Sequence, residues 1–271
     1  MILMDFFKYD FLRNAVLGGL FASILCGIIG TIIIEKKLVM MSGGVAHASL
    51  GGIGLAHFIG IDYLLGALSF SFLSSLIISA SRKNERAYTD TIIGMIWSLS
   101  MAIGLLFIYL TPGFPPDITG FLFGDILTVS NSNLLFIGVS LLITLIVIFS
   151  QFNYWKYFLF DEEYATILGI NTNRYTLVLF ALISLAIVSL IKLAGIILII
   201  ALLTIPPMLA KLFFNQFKSV MIASIIISIF SIWVGLGISY SLNIPSGITI
   251  IIFSSTLFFI SKLIKTGNLF S

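Results

Sequence analysis

Long apolar runs, separated by short polar connections, follow one another along almost the whole chain. Nine such segments can be read, at roughly 12–34, 42–59, 62–80, 89–110, 134–150, 175–191, 193–209, 219–241 and 247–261. About 20 apolar residues in a helix cross the roughly 30 Å hydrocarbon layer of a bilayer. In lipid each run must be helical, because an unpaired backbone group there costs several kcal/mol. The second run is short and rich in Gly, and the pair around Lys192 reads as two spans or as one bent helix system. The pattern therefore predicts an all-α, polytopic membrane helical bundle with eight or nine spans, and residues 1–271 read as a single transmembrane domain.

Composition agrees. Of 271 residues, 59% are hydrophobic and 9% charged, against roughly 25% charged in a soluble domain. That excludes a water-soluble fold and makes membrane lipid the solvent. The net charge of +3 gives no reason to invoke nucleic acid. The single cysteine, Cys26, lies inside an apolar run and can form neither an internal disulfide nor a Cys-rich metal site, so it reads as packing. Met1 to Asn14, with Asp5, Lys8, Asp10 and Arg13 among aromatics, reads as an interfacial amphipathic helix. The run that follows, Ala15 to Ile34, exceeds the apolar region of a cleaved signal peptide.

Charge placement orients the layout. With alternating spans and the C-terminus inside, the inner loops hold Lys36, Lys37, Arg82, Lys83, Arg86, Lys156, Arg174, Lys211, Lys218, Lys262 and Lys265. The outer side holds Lys8, Arg13 and Lys192. The positive-inside rule thus favours an outside N-terminus and a cytosolic C-terminus.

Three connections carry further information. Thr111 to Asn133 holds Pro112, Pro115, Pro116, Asp117 and Asp125 and no basic residue, with a short interfacial helix expected around Ile118–Leu127. Such an acidic outer mouth would attract metal cations, although two surface acids are usually only solvated. Gln151 to Arg174 contains a short helix expected at about 161–169. Asp161 caps its start, Glu162 and Glu163 complement its dipole, Ala165 lies within it, and Gly169 suits the position after its end. Such a helix is either a surface filler or a docking peg for a soluble partner. In Ala201 to Lys211, Pro206 and Pro207 follow Thr204 and remove backbone donors, which predicts a kink. Kinked helices at membrane depth often line pathways.

Chemistry concentrates between Glu35 and Gly60, which carries both histidines, His47 and His57. An ionisable, metal-binding side chain in an apolar run is a candidate functional site. His57 lies ten residues from His47, about 15 Å along a helix, and suits metal capture near the outer interface. The glycines and alanines around them, Gly43, Gly44, Ala46, Ala48, Gly51, Gly52 and Gly54, also serve plain close packing of helices. There is no phosphate-binding G-x-x-x-x-G-K-[ST] loop, no H-E-x-x-H and no Ser/His/Asp set, so no catalytic residue is assigned.

Several stretches together resemble the ABC-3 permease family, the membrane subunits of ATP-binding-cassette importers for zinc, manganese and iron(II). They are Met41 to Ala48, Asp90 to Gly94 with Ala102 and Gly104, Leu122 to Leu127, Lys192 to Gly195 with Leu202 to Pro206, and Ser239-Tyr240 with Pro245 to Gly247. The similarity covers about Phe11 to Leu263. It implies a type II importer permease fold and import of a divalent metal ion across a prokaryotic plasma membrane. The implied partners are a second permease copy (a homodimer) or a paralogue, two cytosolic ATPase subunits that hold the ATP, and an extracytoplasmic metal-binding protein. No cofactor is permanently bound. Asp161, Glu162, Glu163, Ala165 and Gly169 would couple to the ATPase, and Gly43, Gly44, Asp90, Thr204, Pro206 and Pro207 would belong to the pathway or its gate.

The family carries an Asp four residues before the metal-site His, which places both on one helical face. Here that position is Gly43, and His47 remains. A carboxylate favours hard ions such as manganese, whereas imidazole suits zinc and iron(II). Ser42, or groups from a second subunit, would complete the ligand set. Two other readings stay open: a permease for an organic metal chelate such as cobalamin or a siderophore, and a secondary transporter without an ATPase, for which Asp90 is the lone candidate acid.

Overall fold

The computed structural model describes residues 10–84, 88–113, 116 and 118–267, and the first nine residues of the expected interfacial helix, like Asp117, lie outside them. All regular structure among the described residues is helical. The helices are α1 (Asp10–Glu35), α2 (Val39–Ile59), α3 (Tyr63–Asn84), α4 (Thr89–Leu110), α5 (Ile118–Phe123), α6 (Asn131–Ser150), α7 (Phe152–Phe160), α8 (Glu162–Ile167), α9 (Thr172–Phe213), α10 (Phe217–Leu242) and α11 (Ser246–Gly267). Eight of them, α1 to α4, α6 and α9 to α11, are long and apolar enough to cross a membrane.

The expected segments 175–191 and 193–209 form the single element α9, of 42 residues, interrupted at Gly195. Its φ of 68° and ψ of 162° lie in a region open almost only to glycine. The break leaves stretches of about 20 residues on either side, each the length of one crossing. The non-helical dihedrals fall at Gly195, three residues from Lys192, around which one bent helix system was an expected alternative, while Pro206 and Pro207 keep helical dihedrals. Pro207 removes the amide that would bond the Leu203 carbonyl one turn earlier. Gly30 of α1 packs onto that carbonyl, so closely that a Cβ there would lie 2.5 Å from the oxygen.

Two compact units can be distinguished. One takes the described residues up to Ile34, those from Gly120 to Ile143, and those from Leu190 onward. The other takes those from Glu35 to Thr119 and from Thr144 to Ser189.

In the first unit, three of the stretches that carried the family resemblance meet. Gly124 (φ 63°) ends the short helix α5 at Phe123, so the helix expected to reach Leu127 becomes α5 followed by a 3-10 turn at Ile126–Thr128. The backbones of Gly124 and Ala194–Gly195 lie in direct contact, and a Cβ on Gly195 would sit 2.7 Å from the Leu122 oxygen. Gly247 closes on the same loop, its would-be Cβ 2.6 Å from the Phe123 oxygen. Asp125 caps the 3-10 turn by accepting from the Leu127 amide at 3.0 Å, and it also accepts from the Ser246 hydroxyl at 3.2 Å.

In the second unit, α2 packs along both α3 and α4. Its glycines set the separation: Gly52 rests on the backbone of Gly66, and Gly54 on that of Gly104. The packing use expected of these small residues is what the structure shows. Such backbone proximity lets helices associate where lipid offers no hydrophobic driving force.

Candidate functional site

His47 lies in the middle of α2, half-buried. Its ring stacks on Trp97 of α4, with centroids 4.1 Å apart and planes inclined by 9°. Trp97 is itself oriented by its Nε1, which donates to the Met101 sulfur at 3.1 Å. The Nδ1 of His47 is buried and has no hydrogen-bond partner among the described residues. A buried imidazole nitrogen without a partner forgoes a hydrogen bond worth about 1 kcal/mol net, and either a proton donor or a metal ion can take up its lone pair.

The remaining candidates on α2 are disposed differently. Ser42 is fully buried and donates to the Val39 carbonyl at 2.8 Å, which leaves its oxygen lone pairs available. Gly43 is buried, and Gly44 packs against Ile93 of α4. His57 is tied down: its Nδ1 lies 3.0 Å from the Tyr63 hydroxyl at the start of α3. Asp90 is exposed in the first turn of α4, where an acid complements the helix dipole. No cluster of three or more His, Cys, Asp or Glu side chains that could hold a metal ion occurs among the described residues. Thr204 donates to the Ile200 carbonyl at 2.7 Å and, with Pro206 and Pro207, belongs to the first unit.

The short helix between α7 and α9 forms as its sequence dictates. Asp161 accepts from the amides of Glu163 and Tyr164, at 2.9 and 3.0 Å, which satisfies two of the unpaired donors at the start of α8. At the other end the Gly169 amide bonds the Thr166 carbonyl and the Ile170 amide bonds the Ala165 carbonyl, both at 3.0 Å, with Gly169 at φ 79°. This is the Schellman pattern, and Ala165 and Ile170 are buried beneath it. The outward face holds Tyr164, Leu168 and Ile167, the last 82% exposed.

The preceding helix, α7, is amphipathic. It buries Trp155, Phe158 and Leu159 and exposes Tyr154, Tyr157 and Phe160. The Trp155 indole donates to the Val147 carbonyl of α6 at 3.0 Å. Aromatics that are part buried and part exposed are what a helix at a membrane interface carries.

Two functional candidates escape a reading of the sequence. Trp97 is an aromatic in an apolar span, indistinguishable there from a lipid-facing one. Lys36 counts, from sequence, as one more positive-inside loop charge. In the structure its side chain is only 7% exposed, and its Nζ donates to the Phe158 carbonyl at 2.6 Å and to Glu162 Oε1 at 2.7 Å.

Fold and site together define a polytopic membrane protein with two partly buried imidazoles in one span, that of His47 with a partnerless Nδ1, and a capped, outward-facing short helix. Residues 8–265 match the ABC 3 transport family, and the chain belongs to that family. It is 38% identical to a membrane protein of Synechocystis, over 94% of this chain and 90% of that one. It is 30% identical to the manganese transport system membrane protein MntC of Listeria monocytogenes, over 100% of this chain and 97% of that one. Among solved structures, PsaBC from Streptococcus pneumoniae in complex with a Fab matches at 30% identity and a TM-score of 0.85, over 96% of this chain and 95% of that one. The protein is thus a permease subunit, a transport component.

Proposed function

We propose that this chain is the membrane-spanning subunit of an ATP-driven importer that brings a divalent transition-metal ion into the cytoplasm of a prokaryote. The observation that carries this reading is its likeness to a manganese transport membrane protein over the whole of this chain and 97% of that one. Manganese is the first cargo to test. Gly43 removes a hard carboxylate, and His47 supplies an imidazole, so zinc and iron(II) follow.

His47 is the residue offered to the ion. Its partnerless Nδ1 and its Trp97 stack fix a ligand without committing it to the protein. A stepping-stone site should hold its ion loosely, so one imidazole with the Ser42 oxygen nearby in sequence suits transit better than storage. A second permease copy or a paralogue supplies the remaining ligands, and a paralogue could restore the carboxylate missing at Gly43. An extracytoplasmic metal-binding protein delivers the ion.

ATP is hydrolysed on separate chains, two ATPase subunits, which dock on α8. The support is the exposed apolar face at Tyr164, Ile167 and Leu168 on a helix capped at both ends. Residues 1–271 act as one permease domain in the plasma membrane, with the N-terminus outside and the C-terminus cytosolic.

The test is uptake into liposomes by the transporter assembled from this chain and its ATPase subunits, assayed with manganese, zinc and iron(II). His47→Ala abolishes uptake of the cargo ion while ATP hydrolysis continues. Undiminished uptake of every ion by that variant would remove His47 from the pathway.

A further inference from the structure

Lys36 occupies the short connection between α1 and α2, three residues before α2 begins at Val39 and beside Lys37, whose φ is 55°. A lysine is almost never buried without a strong partner, because its ammonium loses hydration that a methionine of similar length would not need. Here the ammonium is enclosed on three sides. It donates to the Phe158 carbonyl and to Glu162 Oε1, and it lies 4.0 Å above the centre of the Phe158 ring.

All three contacts come from the corner between α7 and α8. Phe158 is in the last turn of α7, and Glu162 opens α8. The three consecutive acids at that corner have separate tasks: Asp161 caps α8, Glu163 faces outward, and Glu162 turns back to Lys36. A cavity of about 420 Å³ adjoins the pair, lined by Glu35, Lys37, Ser79, Asn173 and Thr176 among others. The corner is thus fastened at Lys36 rather than packed solidly on every side.

From Lys36 the path to His47 crosses Lys37 and Leu38 and then runs along α2. His47 is two turns into α2, about 12 Å from its start. Around Gly52 and Gly54, α2 is in backbone contact with α3 and α4, and Gly44 packs on Ile93 of α4, so α2 is held on both sides of His47. We infer that Lys36 is the strut that carries displacement of α8 to α2, and thereby links ATPase motion to the position of His47. This rests on the reading of α8 as the ATPase dock. It assigns to Lys36 and Glu162 a positioning role in coupling, distinct from docking itself.

The experiment uses the assembled transporter in liposomes and three readouts: ATPase subunits retained on purification, ATP hydrolysed, and ions imported per ATP. Lys36→Met retains the ATPase subunits and hydrolyses ATP, and its import per ATP falls at least tenfold. Glu162→Gln, which keeps the Phe158 bond, lowers the same ratio by about threefold. Lys36→Arg, which keeps the charge and the donors, stays within twofold of the parent. A native ratio in Lys36→Met overturns the strut. Loss of the ATPase subunits from that variant also overturns it, because Lys36 would then be part of the dock. Should Lys36→Met fail to assemble, the ratio in Glu162→Gln decides. Ile167→Asp tests the dock separately: if it keeps its ATPase subunits, the reading of α8 fails whatever Lys36 does.

Discussion

Two polar side chains of the same unit, the half-buried His47 and the buried Lys36, are treated in opposite ways by their surroundings. Lys36 has its donors matched to a carbonyl, a carboxylate and a ring face. His47 has a ring face and, at Nδ1, no partner. A fully matched buried group fixes geometry, whereas an unmatched one keeps chemical capacity in reserve. Buried polar groups in native proteins are nearly all satisfied; His47 Nδ1 shares its exception with the hydroxyls of Ser224, Ser228 and Ser231 and is the imidazole nitrogen among them.

The contrast can be broken most decisively at His47. His47→Leu cuts metal uptake by more than the roughly 10–100-fold that loss of an outer partner costs at a metal site. The same variant loses no hydrogen bond at Nδ1 and only the Trp97 stack, so stability falls by no more than about 1 kcal/mol. A large drop in melting temperature would mean that the imidazole is structural. Lys36→Met behaves in the reverse sense in the isolated permease. It strands the Glu162 carboxylate and the Phe158 carbonyl and destabilises by about 2 kcal/mol, the scale of a hydrogen bond to a charged group, measured by thermal unfolding in detergent. Glu162 is 43% exposed, so water recovers part of its share.

Smaller effects sharpen the picture. Asp161→Ala removes the cap of α8 and costs about 1 kcal/mol, seen as faster amide exchange at Glu163 and Tyr164 with the core of α2 unchanged. Trp97→Leu removes the ring that holds His47, worth roughly 0.5–1.5 kcal/mol. The His47 ring resonances shift and broaden, and uptake falls less than on loss of the imidazole itself.

The spans and the short helix α8 were legible because their signals are local. Apolar run length announces a crossing, and Asp161 and Gly169 announce the two ends of α8. His47 was legible as a rare ionisable group in an apolar run. The long-range pairings were not. Nothing along the chain says that Lys36 reaches Phe158 and Glu162, or that the ring beside His47 is Trp97. The bend in α9 was legible near Lys192, three residues from Gly195, but not which residue makes it. Proline is a visible breaker, yet a proline inside a helix can keep helical dihedrals when a neighbour such as Gly30 covers the freed carbonyl. The residue that does break the helix, Gly195, does so in the company of Gly124, far away in sequence.

That company constrains the order of assembly. Gly124 leaves the ribosome well before Gly195, so the earlier loop must wait in the translocating chain until the later break arrives to meet it. Until Gly195 has been synthesised, the Gly124 loop lacks the backbone against which it packs.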